Sequence, residues 1–132
     1  MRVVQRAMHK PALLFYCQHS LGMGHLVRGL AIAAALERKF DVQFLNGGRF
    51  PAGFEAPQGL TIHDLPPLGM TAGGALTSLD DRYSVESAKA FRQAHICDVF
   101  RRTRPAVILI ELFPFGRKKF ADELIPLLDA AV

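Results

Sequence analysis

The residues best suited to chemistry lie in one short stretch, Gly22-Met23-Gly24-His25. Two close-set glycines before a helix-forming run make a loop where backbone N–H groups and a helix N-terminus can meet a ligand. Glycine suits such a spot because a Cβ hinders close approach and positive φ is costly for other residues. At a helix N-terminus the macrodipole disfavours imidazolium, so His25 is expected to be neutral and able to take a proton from a hydroxyl. A histidine that merely caps or packs on the turn fits the same pattern, and the residue types alone do not separate the two readings. His19 and Ser20, in the same loop, are further candidates for hydrogen bonding to a ligand.

Two common phosphate-binding patterns are excluded. The dinucleotide fingerprint needs a third glycine where this chain has Val27, and an acid at the end of the second strand, where Leu45-Asn46 stands. The P-loop needs Gly-Lys followed by Ser or Thr, which is absent.

The elements that must position this loop are legible from apolar runs and breakers. Ala12 to Cys17 is a continuous apolar run, expected to be a strand buried on both faces. His25 to Lys39 is rich in helix formers and ends in basic residues that suit a helix C-terminus. Asp41 to Leu45 and Leu60 to Leu65 read as strands, stopped by Asn46-Gly47-Gly48 and Pro66-Pro67. Pro66 to Asp80 reads as a long loop, and such loops are often functional. Asp81 to Arg104 is the second predicted helix, with Val85, Ala88, Phe91, Ile96, Val99 and Phe100 near helical spacing. Ala106 to Ile110 is the clearest strand, Glu111 opens its exit loop, and Lys118 to Ala131 is a third helix with Pro126 expected to kink it. The order β-α-β-β-α-β-α implies a Rossmann-like α/β domain, a mostly parallel sheet with helices on both faces. Its last strand is expected to keep an unpaired edge, which suggests a single truncated domain over residues 1–132.

Composition limits the partners. The chain has 132 residues, half of them hydrophobic, and a formal charge of +4. Apart from Arg101-Arg102-Thr103-Arg104 and Arg117-Lys118-Lys119 the basic residues are scattered. Nucleic-acid binders concentrate charge into a stripe interleaved with aromatics, so no nucleic acid is expected. Arg117-Lys118-Lys119 opens the third predicted helix, where positive charge costs roughly 0.3–1 kcal/mol per residue. It is therefore a candidate anion site, for a phosphate of a ligand or an anionic membrane surface, with a solvated patch as the plainer reading. Cys17 and Cys97 have no paired spacing and read as reduced thiols in a cytoplasmic protein. His9, His63 and His95 lack metal-ligand spacing, so neither metal nor cofactor is expected.

The stretch Gln18 to Arg28 resembles the first loop of GT-B glycosyltransferases, two-domain enzymes that transfer a sugar from a nucleotide-sugar donor. The likeness extends to the peptidoglycan N-acetylglucosaminyl transferase and to plant small-molecule glucosyltransferases. It is greatest for a group of bacterial predicted glycosyltransferases, through Leu45-Asn46-Gly47-Gly48, Leu65 to Met70 and Glu111 to Phe120. The resemblance implies that this is the N-terminal, acceptor-side domain, covering about the first third of such an enzyme, with the donor-binding domain absent. It implies His25 as the base that activates the acceptor hydroxyl, and Glu111, at a comparable strand end, as the acid that orients it. An acid that receives hydrogen bonds from the neighbouring loop is the other reading of Glu111, and the match to the family is by position rather than by motif. Gly22, Met23, Gly24, Arg28, His19 and Ser20 would then lie on the acceptor side. Asn46, Gly47 and Gly48 would line the acceptor cleft or simply form a tight turn.

The implied partners are a nucleotide-sugar, held mainly by the missing domain, and a hydroxyl-bearing acceptor. The chain alone is expected to be inactive. Two other functions remain open: a nucleotide-sugar epimerase of the same fold, and a binding module whose glycine turn holds an anion without chemistry.

Overall fold

The computed structural model describes residues 9–20, 23–111 and 118–132. Four strands, β1 (Ala12–Cys17), β2 (Asp41–Asn46), β3 (Thr61–Asp64) and β6 (Val107–Ile110), form one sheet in the order β3-β2-β1-β6. Every neighbouring pair in it is parallel. Helix α1 (Gly24–Leu36) connects β1 to β2, and α2 (Val85–Thr103) precedes β6. A 3-10 turn (Lys118–Phe120) leads into α3 (Ala121–Ala130). This is the Rossmann-like α/β architecture expected from the alternation of apolar runs and helix formers. Among the described residues no helix is long and apolar enough to cross a membrane. Neither Cys17 nor Cys97 is in a disulfide.

The sheet is apolar on both faces because the odd and even residues of β1 are both buried. Leu13, Phe15 and Cys17 point to one side and pack with Leu26, Leu30 and Ala33 of α1. Leu14 and Tyr16 point to the other, with Ala88, Ile96 and Val99 of α2 and Leu124 and Leu127 of α3. Strand β6 pairs only with β1 among the described residues, so its outer edge carries no strand there.

Helix α1 ends at Leu36, so Arg38 and Lys39 lie beyond its last turn. Three further differences from the sequence expectation have a clear physical reason. The stretch Pro66 to Asp80 is not all loop. It contains an antiparallel hairpin of β4 (Leu68–Met70) and β5 (Leu76–Ser78), closed by Thr71 and Gly74, whose φ is +81°. Three-residue strands are too short to show alternation, so they leave no periodic signal. Helix α2 starts at Val85, not Asp81, because Ser84 and Ser87 cap one another's backbone N–H groups. Lys118 and Lys119 belong to the 3-10 turn rather than to α3, whose own first turn carries Asp122 and Glu123, the charges a helix N-terminus favours. Pro126 lies inside α3, where it withholds one N–H from the ladder.

The buried stripe of α2 also differs. Ala88, Arg92, Ile96 and Val99 are the buried positions, at helical spacing, while Phe91 is 58 % exposed. Arg92 is therefore a fully buried cation. Its Nε and Nη2 donate to the Glu123 carboxylate at 2.9 and 2.7 Å, and Nη2 also reaches Gln18 Oε1 at 2.6 Å. Nη1 donates to the carbonyls of Gly47 and Pro66 at 2.8 and 3.0 Å. Tyr16 donates to the same carboxylate at 2.6 Å, and Phe120 lies under the guanidinium. Burial, with the Glu123 charge beside it, pushes the Tyr16 hydroxyl well above its usual range. For Arg92 burial alone disfavours the cation, but hydrogen bonds and charge from Glu123 outweigh it and hold the guanidinium charged.

Arg92→Ala strands a buried carboxylate and is expected to cost about 3–5 kcal/mol, read from urea unfolding. The double substitution Arg92→Met with Glu123→Leu is expected to recover most of that loss. A single substitution that costs as little as the double one contradicts the pairing of Arg92 with Glu123 as the reason the charge is buried.

A second expectation concerns acid. His63 of β3 bonds Gln43 at 2.7 Å and meets His95 of α2 edge-on at 5.9 Å. Burial, then the neighbouring His95, lowers its pKa below 6.5. A histidine with a depressed folded pKa binds fewer protons folded than unfolded, so stability rises with pH across this window and declines as pH falls below 6.5. His63→Gln is expected to flatten that part of the urea-midpoint profile. An unchanged slope counts against it.

Candidate functional site

The site sits at the C-terminal edge of the parallel sheet, where α/β folds place their ligands. Ladder bonds run past the strand ends and hold this edge in register. Gly47 N donates to Cys17 O, Leu65 N to Asn46 O and Glu111 N to Tyr16 O. Along the edge the order is therefore the Asp64 end of β3, the Asn46 end of β2, the Gln18 end of β1 and the Glu111 end of β6.

His25 is in the first turn of α1, and Glu111 follows β6, 86 positions later in the chain. The parallel pairing of β1 with β6 brings them together, His25 Nδ1 to Glu111 Oε1 at 2.7 Å. The carboxylate side chain is 10 % exposed and the imidazole 35 %. Arg28, one turn further along α1, brings Nη2 to 2.9 Å from His25 Nδ1 and 3.4 Å from Glu111 Oε1. Carboxylate and guanidinium compete for the same ring nitrogen. An ionised carboxylate only accepts and a guanidinium only donates. A proton on Nδ1 donates to Glu111, with Arg28 donating to the same oxygen, and leaves the Arg28–Nδ1 approach as a contact between two donors. Nε2 then keeps its lone pair. That is the tautomer a general base needs, with the carboxylate in the orienting position.

Among the described residues a Cβ at Gly24 would meet nothing within 4 Å, and the residue is not at positive φ. The described residues thus make no demand for glycine there, contrary to the argument from backbone strain. Met23 caps α1 without a side-chain hydrogen bond and is exposed. Gly22 lies outside the described residues.

The neighbouring candidates face inward. His19 is buried, its Nε2 donates to Asn46 Oδ1 at 2.8 Å, and its ring stacks near Phe50. Asn46 in turn donates to Asp64 Oδ1 at 2.9 Å, so one chain of hydrogen bonds ties the ends of β1, β2 and β3. Ser20 is half-buried beside it. Gly47 and Gly48 are glycines for a packing reason. A Cβ would come 2.1 Å from Gln18 Oε1 at Gly47, and 2.3 Å from the His19 carbonyl at Gly48. Gly48 and Asn46 also line a shallow cleft of about 200 Å³ with Arg49, Phe50 and Asp64. Lys119 donates to the carbonyl of Gly74, tying the 3-10 turn to the hairpin, while Lys118 is exposed. Arg117 lies outside the described residues. Among the described residues no group of three or more His, Cys, Asp or Glu side chains is placed to hold a metal ion.

Sequence reasoning missed Arg92, Glu123 and Asp64. Arg92 had a signal: it falls on the i, i+4 stripe with Ala88 and Ile96, where a charge is out of place unless paired. Asp64 and Glu123 had none, because their partners are remote in the chain.

The fold and its edge define a Rossmann-like α/β domain. Among solved structures the chain is similar to UGT2 of Phytolacca americana complexed with UDP-2fluoro-glucose and pterostilbene. The TM-score is 0.52 at 19% sequence identity, over 95% of this chain and 35% of that one. Apo UGT2 from the same plant gives a TM-score of 0.53 at 19% identity, over 92% of this chain and 33% of that one. The chain spans about a third of the length of these structures. At this identity the likeness is one of fold. No family model and no curated protein matches the sequence.

If Glu111 sets the ring's proton, the Nδ1–H tautomer is expected to dominate at neutral pH in ¹⁵N spectra of His25. Glu111→Ala is expected to lose that preference. An Nε2–H majority in the parent chain contradicts the arrangement.

Proposed function

We propose that this chain is the acceptor-side domain of a glycosyltransferase that moves a sugar from a nucleotide-sugar to a hydroxyl group. The observation that carries the reading is the His25–Glu111 contact of 2.7 Å at the ligand-bearing edge of the sheet. In the proposed step, Nε2 of His25 takes the proton of the acceptor hydroxyl as its oxygen attacks the anomeric carbon. The bond from that carbon to the diphosphate breaks, and the nucleoside diphosphate leaves with its electron pair. Glu111 holds the ring and stabilises the imidazolium that forms. Arg28 keeps the carboxylate in place.

Support for the substrate classes comes from the UGT2 structure, whose complex contains UDP-2fluoro-glucose and pterostilbene. The nucleotide-sugar is assigned mainly to a second domain, so transfer by the 132-residue chain alone is expected to be slight. We assign the protein to the bacterial group that its motifs resemble. Its proposed setting is the cytoplasm, where the thiols of Cys17 and Cys97 stay reduced. Lys118 and Lys119 face an anionic phosphate or membrane surface in this reading.

The test joins this chain to a donor-binding domain and measures sugar transfer. His25→Ala is expected to lower kcat by about 10²–10⁴-fold, with donor KM little changed. Transfer unaffected by the substitution would sink the base assignment. Epimerisation of the donor sugar without transfer would favour an epimerase.

A further inference from the structure

Phe91 is a large aromatic left in the open, its ring edge-to-face on Tyr83 at 5.4 Å. The two rings line a cleft of about 530 Å³ beside β3, with Leu65, Pro66, Pro67 and Ala94 as its other apolar walls. Its polar groups are Asp64, Asp80, Asp98, Arg82 and His95. Three carboxylates against one guanidinium disfavour a phosphate or any other anion. Yet the cleft does not demand a cation. Arg82 clasps Asp80 at 2.7 Å, its hydrogen bonds lowering that carboxyl to about 2, and Arg102 holds Asp98 at 2.8 Å. Asp64 receives Asn46 on one oxygen. What remains is ring faces beside fixed hydrogen-bond acceptors, which suits a neutral ring with one apolar face and many hydroxyls.

The cleft does not stand alone. It shares Asp64, Leu65 and Pro67 with the shallower cleft at Asn46, Gly48 and Phe50. Both lie at the β2–β3 side of the sheet, whose C-terminal edge has Glu111 at its other end. From β3 to β6 there are three inter-strand steps, together about 14 Å. A single sugar ring cannot cover that span, whereas a short chain of them can.

We propose that this edge binds a linear, neutral oligosaccharide, its reacting end at His25 and its far end in the Tyr83–Phe91 cleft. The inference rests on the acceptor reading given above and specifies its substrate class. Phe91 supplies the stacking face and Asp64, at the β3 end, accepts hydroxyl hydrogens.

The experiment titrates the 132-residue chain with maltose, cellobiose and chitobiose and with their hexamers, following backbone amide shifts by NMR. At least one series is expected to move Asp64, Tyr83 and Phe91, with affinity rising about tenfold or more from dimer to hexamer. Phe91→Ala, which removes an exposed ring and leaves the core intact, is expected to weaken the hexamer about tenfold. His25→Ala is expected to leave the cleft shifts in place. The inference is overturned if no oligomer at millimolar concentration moves these residues, or if Phe91→Ala binds the hexamer as well as the parent. It is equally overturned if 4-nitrophenol occupies the cleft more tightly than every hexamer. Because the readout is binding, such a failure leaves the base assignment of His25 standing.

Discussion

A guanidinium taken out of water must have every donor matched, or the fold does not close around it. Arg92 meets that condition with five groups from four separate stretches of chain. Its partners are Glu123 on α3, Gln18 after β1, Gly47 after β2, Pro66 after β3 and the hydroxyl of Tyr16 within β1. All of them lie near the C-terminal ends of the strands, so one side chain on α2 gathers the loops that form the ligand-bearing edge. The same requirement explains Gly47, since any side chain there would collide with the Gln18 amide and the guanidinium. A buried pair of this kind is weak evidence of net stability. Its effect is geometric: it allows only one arrangement of these loops.

The edge that results has two parts with different physics. Near β6 a largely buried carboxylate, a partly exposed imidazole and an exposed guanidinium meet at one ring nitrogen, an arrangement that sets a proton's position. Near β2 and β3 they are bonded to each other, His19 to Asn46 and Asn46 to Asp64, which makes a rigid rim rather than a reactive group. His19 and His25 are thus close in sequence and different in environment. Being in the first turn of a helix turns His25 toward Glu111, whereas His19, still in the line of β1, faces the end of β2.

How much of this was legible follows from how local each signal is. The strand Ala12 to Cys17 was readable to the residue because a strand buried on both faces shows as an unbroken apolar run. The β4–β5 hairpin was not, because its strands are three residues long and their pairing is visible only in space. The start of α2 shifted by four residues because Asp81 and Arg82 belong to the turn made by Asp80, and the capping pair uses serine where glutamate or glutamine is the usual sign. Phe91 was assigned to the buried face and Arg92 was overlooked. An apolar ring is the default occupant of a core, and a charge becomes one only with a partner thirty-one positions away.

For the glycine turn, the sequence by itself determined that a histidine, His25, stands in the first turn of a helix. Turn and helix are both properties of neighbouring residues: an apolar run that ends at Cys17 and helix formers that follow Gly24. It also determined the parallel α/β plan, because hydrophobic periodicity is written locally. Only the tertiary structure decided that Glu111 would stand 2.7 Å from His25, that Arg28 would share it, and that Arg92 would knit the loops together. Those contacts join segments dozens of residues apart through sheet order and register. Neither order nor register has a local signature, since each emerges only when β6 pairs with β1.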